Sequence, residues 1–244
     1  MTSEQQIKSE VEVWKRKLNK KSGIVNRITK RAQDKITGFI PEKAHQLITE
    51  SIKKMIQATL FGSEYLTKPK VTQSLTMEEK EKLIMESLNK FRKTAAVEGA
   101  GTGAGGILLG LADFPLLLSI KMKFLFEAAS IYGYDVKNYD ERLFILYVFQ
   151  LAFSSEEHKR AVLETIENWD QLKVELVDVD WRTLQQEYRD FIDFVKMLQL
   201  VPGIGAVVGA YANYNLLDQL GETAMNAYRI RWLNQNNTKI EDPT

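Results

Sequence analysis

Six of the chain's fourteen glycines fall between Gly99 and Gly110, inside the run E-G-A-G-T-G-A-G-G-I-L-L-G-L-A-D-F-P-L-L-L-S-I from Glu98 to Ile120. Glycine costs up to ~1 kcal/mol per helix position relative to alanine. So dense a cluster therefore needs a compensating use: a loop around a phosphate, a membrane segment, or a close helix–helix approach. As a cofactor loop the match is formal. Gly101-Thr-Gly103-Ala-Gly105-Gly106 reads G-x-G-x-x-G, but that motif belongs between a strand and a helix, with an acid about 20 residues on at the end of a second strand. The residues before it, E-S-L-N-K-F-R-K-T-A-A-V-E, are helical in type, and Glu127 falls within a helical pattern. The nucleoside-triphosphate loop fails outright, since Ile107-Leu108 stands where Lys-Ser/Thr is required. As a membrane span, Gly99 to Ile120 is long enough. Asp113 near its middle and Pro115 just after it oppose a straight crossing. Glycines four apart let two helix backbones approach, which makes Gly101/Gly105, Gly106/Gly110 and, in V-P-G-I-G-A-V-V-G-A, Gly205/Gly209 candidate packing surfaces beside Pro115 and Pro202.

At 244 residues the chain can bury a real core. A hydrophobic share of 44% with 27% charged is that of an ordinary globular protein. It has no cysteine, so disulfides, thiolate nucleophiles and Cys-ligated zinc are excluded, and a reducing cytosol is expected. The first ten residues do not read as a signal peptide. The net charge of +1 hides an asymmetry: Met1 to Thr94 carries 20 basic and 11 acidic residues, and Lys15 to Lys54 carries 12 and 3. Such a block suits a solvated face or a surface for phosphates or anionic lipid.

Periodicity gives helices throughout. Ile7, Val11, Trp14 and Leu18 make one apolar stripe from about Ser3 to Lys21, flanked by Lys15, Arg16, Lys17, Lys20 and Lys21. A basic amphipathic helix with one tryptophan has the composition of a segment lying on an anionic membrane; the alternative is a helix packed on the domain with its lysines in water. A helix at about 24–38 is followed by one from Pro41 to Leu60 that closes at Gly62. Thr76 and Glu79 form a capping-box pattern for the next. A helix from Leu116 to Tyr132 stops at Gly133, a left-handed C-terminal position, and Asn138 or Asp140 caps its successor. That successor, L-F-I-L-Y-V-F-Q-L-A-F, is apolar all round and is expected as a buried helix rather than a strand. Ser154-Ser155-Glu156-Glu157 opens a helix ending near Trp169, 171–179 is strand or turn, a helix spans about 180–200, and a last one runs from Pro202 to about Leu233 before a frayed tail.

Chemistry-bearing residues are sparse. His45 and His158 are far apart, and no G-x-S-x-G or H-E-x-x-H string occurs, so no catalytic residue, metal site or cofactor is indicated. On the last helix Asn215, Asp218, Glu222, Asn226 and Arg229 share a face, which reads as a solvated surface. The sharper reading joins Asp218 and Glu222 with Glu98 and Asp113 in a carboxylate pocket, able to raise one pKa or hold a hard cation, in a small-ligand or lipid-binding protein or an enzyme. Nucleic acid is an unlikely partner, because no reader motif accompanies the basic block.

G-A-G-T-G-A-G-G-I-L-L-G-L-A-D-F-P-L-L-L, then Y-G-Y-D, D-E-R-L-F-I-L, and V-P-G-I-G-A-V-V-G-A-Y-A-N-Y-N-L-L-D-Q-L-G-E-T-A-M-N-A-Y-R-I-R-W-L together resemble the EcsC protein family, as does F-I-P-E-K-A-H-Q-L-I upstream. The resemblance covers roughly residues 35 to 233. It implies a bacterial protein encoded beside the ATPase and membrane subunits of an ABC transporter affecting secretion, and carries over no catalytic residue or cofactor. The expectation is an all-α protein: a basic N-terminal helix (1–22), one helical domain (23–234) and a polar tail (235–244). About nine or ten helices are expected, two of them Gly-rich and closely packed. It is expected in the cytoplasm, peripheral at the inner face of the membrane, as an accessory of an ABC transporter.

Overall fold

A computed structural model describes residues 3–19, 42–63, 65–66, 72–103, 114–174 and 205–241. Among these the chain is helical without strands: α1 (Ser3–Asn19), α2 (Glu42–Phe61), α3 (Met77–Gly103), α4 (Phe114–Tyr132), α5 (Tyr139–Phe153), α6 (Glu156–Glu167), the single turn α7 (Trp169–Leu172) and α8 (Gly205–Glu241). The helices expected near 24–38 and 180–200 lie outside the described residues. So do Gly105, Gly106, Gly110, Asp113 and Pro202, and the 171–179 stretch beyond Val174. Gly101 lies in the last turn of α3, and Gly205 and Gly209 open α8. Pro115 stands in the first turn of α4, where a missing N–H is tolerated. α8 does not stop at Leu233 but continues to Glu241.

α8, about 55 Å long at 1.5 Å per residue, is the axis of the assembly, touching α1, α3, α4, α5 and α6. α5 lies inside: every residue from Leu143 to Phe153 is buried. That is why its sequence shows no polar face. Asn138 stands at the N-cap of α5 without a side-chain capping bond, whereas two other expected helix ends form as the sequence says. Thr76 N–H donates to Glu79 Oε2 at 2.8 Å and Glu79 N–H to Thr76 Oγ1 at 3.3 Å, which closes the capping box of α3. Gly133 has φ +99°, with Gly133 N–H bonded to Ser130 O and Tyr134 N–H to Ala129 O, the paired bonds of a Schellman stop. Cations also finish α4 and α2: Lys80 Nζ donates to Tyr132 O at the end of α4, and Arg142 Nη1 donates to Leu60 O and Gly62 O at the end of α2.

Deep in the core, Arg231 Nη1 donates to Glu141 Oε2 at 2.7 Å and the Tyr228 hydroxyl donates to Oε1 at 2.7 Å. The guanidinium lies 3.9 Å from the centre of the Tyr134 ring and 4.3 Å from that of Phe144. Burial raises the Glu141 pKa above the ordinary carboxylate range although Arg231 pulls it down. The pair ties α5 to α8 and is committed to the fold. Glu141→Gln is expected to strand the buried cation and lower stability by about 3 kcal/mol in urea titration, while Glu141→Leu with Arg231→Met loses less than half of that.

α3 packs closely on α8. A Cβ placed on Gly221 would come 2.6 Å from Leu88 Cδ2, and Leu88 is 1% exposed. Gly221→Val is therefore expected to cost about 2 kcal/mol by overpacking. Leu88→Ala, destabilising alone, should recover part of that loss in the double variant. Simple additivity of the two in a thermal melt would show that they do not share the space.

Candidate functional site

A cleft of about 620 Å³ opens between α1, α3, α5, α6 and α8. Its walls are apolar (Trp14, Leu18, Met85, Leu88, Leu151, Met225), and its polar lining includes Lys17, Arg92, Lys159, Asp218, Gln219 and Glu222. The Gln219 amide donates to Ala152 O and fixes α8 against the end of α5. α1 forms one side of the cleft through Trp14, Lys17 and Leu18.

The polar face of α8 is paired with two neighbouring helices, although Asp218 and Glu222 keep partly exposed side chains. Arg229 donates to both oxygens of Glu81 on α3, at 2.5 and 2.8 Å, and pairs with Glu10 on α1 at 2.9 Å. Burial opposes the Arg229 charge, yet the Glu81 contacts outweigh it and its pKa is raised. Further along, Glu222 accepts from Lys17 at 2.9 Å and Asp218 pairs with Arg92. Between the two rungs each partner helix advances while α8 retreats by the same number of residues, so both α1 and α3 run antiparallel to α8. Asn226 turns its amide back to Glu222 O. The sequence pattern reported polarity correctly; the partners it has are side chains on α1 and α3.

The membrane-contact candidates divide. Trp14 is 5% exposed and belongs to the core with Ile7 and Val11, so the stripe expected at a lipid surface faces protein here. Lys15 lies 2.7 Å from Glu167 on α6 and 3.1 Å from Glu12. Burial works against its charge, and these two carboxylates together still raise its pKa. Lys17 takes Glu222, Arg16 is exposed with its Nε on Glu12 O, and Lys20 and Lys21 lie outside the described residues. Of the proposed carboxylate pocket, Asp218 and Glu222 do line one cleft, but each faces a cation. Asp113 lies outside the described residues, as does the side chain of Glu98 on α3. Among the described residues no group of three His, Asp or Glu side chains could hold a metal ion, and no helix is long and apolar enough to cross a membrane. Arg92, Lys159 and Glu81 were not picked out by sequence reasoning; a single sequence shows their charge but not the helix they face.

The fold and cleft define an all-helical protein built on one long C-terminal helix, with a polar seam roofed by an N-terminal amphipathic helix. Residues 5–233 match the EcsC protein family, and the chain belongs to it. It is 51% identical over 235 residues to Protein EcsC of Bacillus subtilis (strain 168), covering 96% of this chain and 98% of that one. It is 32% identical over 253 residues to the Uncharacterized protein YdbA of the same organism, covering 93% and 91%. No solved structure matches the chain.

Arg229 is the cation shared by α1, α3 and α8, with a side chain 13% exposed. Arg229→Met is expected to lower stability by about 1–3 kcal/mol, between the values for exposed and buried pairs. It should also speed tryptic cleavage within α1, read by mass spectrometry of the released N-terminal peptide.

Proposed function

We propose that this chain works by binding, as an accessory that docks peripherally on an anionic membrane surface beside the ABC transporter subunits implied by its family resemblance. The observation that carries the reading is the basic end of α1. Arg16 is exposed there, the Lys17 side chain is 71% exposed, and Lys20 and Lys21 follow in a segment where basic residues outnumber acidic ones 12 to 3. Each such cation contributes about 1 kcal/mol near an anionic leaflet, so a few give salt-sensitive binding. Flotation with vesicles tests it. The protein should float with phosphatidylglycerol vesicles at low salt and not with pure phosphatidylcholine. Arg16→Glu with Lys20→Glu and Lys21→Glu should weaken binding at least about tenfold. This set leaves the Lys15 and Lys17 ion pairs intact. Equal binding to neutral vesicles, or none to anionic ones, overturns the reading.

We also infer that the glycine-rich segments face protein. The α3–α8 register that opposes Arg92 to Asp218, continued along each helix, brings the Gly-rich end of α3 level with the Gly-rich start of α8. Gly209→Leu is expected to lower the melting temperature with vesicle binding unchanged. Unaltered stability with stronger vesicle binding would place the segment against lipid instead.

A further inference from the structure

We propose that α1 is a displaceable strap whose apolar stripe serves the cleft and the membrane in turn, a proposal that rests on the membrane reading above. The stripe is fully used in the folded protein: Ile7, Val11 and Trp14 are 6%, 2% and 5% exposed, and Val13 is the large apolar side chain left on the outer face. A helix docked on lipid by that outer face inserts almost nothing, whereas interfacial helices bind by burying their apolar side as well as by charge.

The way α1 is held suits release. Its main helix contact is with α8, and its cations sit in ion pairs near solvent: Lys17 with Glu222, side chains 71% and 45% exposed, and Lys15 with Glu167, 23% and 35%. Exposed pairs of this kind contribute little and weaken with salt. A lipid phosphate offers Lys15 and Lys17 the same charge-assisted contact that Glu167 and Glu222 give them. The cleft side offers α1 an apolar wall in Met85 and Met225 and one carboxylate, Glu222, for Lys17, while Asp218 is held by Arg92 of α3. The apolar stripe and Lys17 of α1 fit that groove. Seated, the helix satisfies the groove; released, its stripe and lysines face lipid. Glu10, paired with Arg229, favours the seated state.

Because the chain has no cysteine, Lys17→Cys with Glu222→Cys gives a unique pair across α1 and α8. A short thiol-cleavable bis-methanethiosulfonate reagent can then bridge it in the full-length protein. The linked protein should keep or raise its melting temperature and lose at least about tenfold in phosphatidylglycerol vesicle affinity, with binding restored by reductant. Each single-cysteine variant should bind equally with and without the reagent. Lys15→Cys with Glu167→Cys repeats the measurement from α6 in case the first pair disturbs the fold. Linked protein that binds within twofold of the reduced form overturns the strap and leaves the membrane reading standing. If neither form binds anionic vesicles, the membrane reading falls and the strap with it.

Discussion

The close approach of α3 to α8 is the constraint on which the rest of the structure depends. Gly221 lets Leu88 lie against the α8 backbone, and with the two axes brought that near, side chains on either flank of the contact must meet. They meet as charges: Glu81 and Arg92 from α3 reach Arg229 and Asp218 on α8. A larger residue at Gly221 would separate the axes and lengthen both ion pairs together. The apolar contact therefore sets the distance, and the polar pairs fix the register. A slip of either helix by one residue would rotate the side chains and oppose wrong partners, which costs more than the loss of a favourable pair.

This explains how a helix of 37 residues can have almost no single apolar face. α8 is enclosed by α1 and α3 along its polar side, and by α4, α5 and α6 along the rest. Leu216, Leu217, Leu220, Ala224, Ala227 and Ile230 fill its apolar contacts, while Asp218, Glu222 and Arg229 are satisfied by opposite charges. Arg231 carries the same logic into the interior, where Glu141, Tyr228 and two aromatic faces replace water around a guanidinium. Amphipathicity fails as a guide where a helix is surrounded by neighbours of two kinds.

What the sequence made legible was local. The Thr76/Glu79 box, the left-handed Gly133 and the buried character of α5 each follow from interactions within a few residues or from a composition with no polar face. The misreadings arose where a partner far along the chain decides the outcome. The face holding Asp218, Glu222 and Arg229 reads as solvated, and Asp218 and Glu222 do stay partly exposed, but the pairing of all three and the burial of Arg229 are not visible in one sequence. The end of α8 was placed at Leu233 on composition, since the polar run after it lacks an apolar stripe, yet the helix continues to Glu241. Of the candidate site, the cations of α1 and two of the carboxylates were legible as residue types. Their pairing was not, because Lys17 with Glu222 depends on the antiparallel seating of α1 on α8, and Asp218 with Arg92 on that of α3.

The same seating bears on how such a helix can serve a membrane. Burying an isoleucine, a valine and a tryptophan side chain contributes roughly 1.5–3 kcal/mol for each, while the exposed Lys17–Glu222 pair adds at most about 1 kcal/mol. α1 is thus held mainly by apolar surface, the commodity an interfacial bilayer site also supplies. A neutral bilayer gains nothing by taking the stripe, since it exchanges one apolar contact for another and breaks the pairs with Glu167, Glu222 and Arg229. On the proposed strap, an anionic bilayer would replace two of those three contacts with phosphates and add attraction for Arg16, Lys20 and Lys21. In that proposal the balance between seat and surface is set by charge, although most of the energy on both sides is hydrophobic.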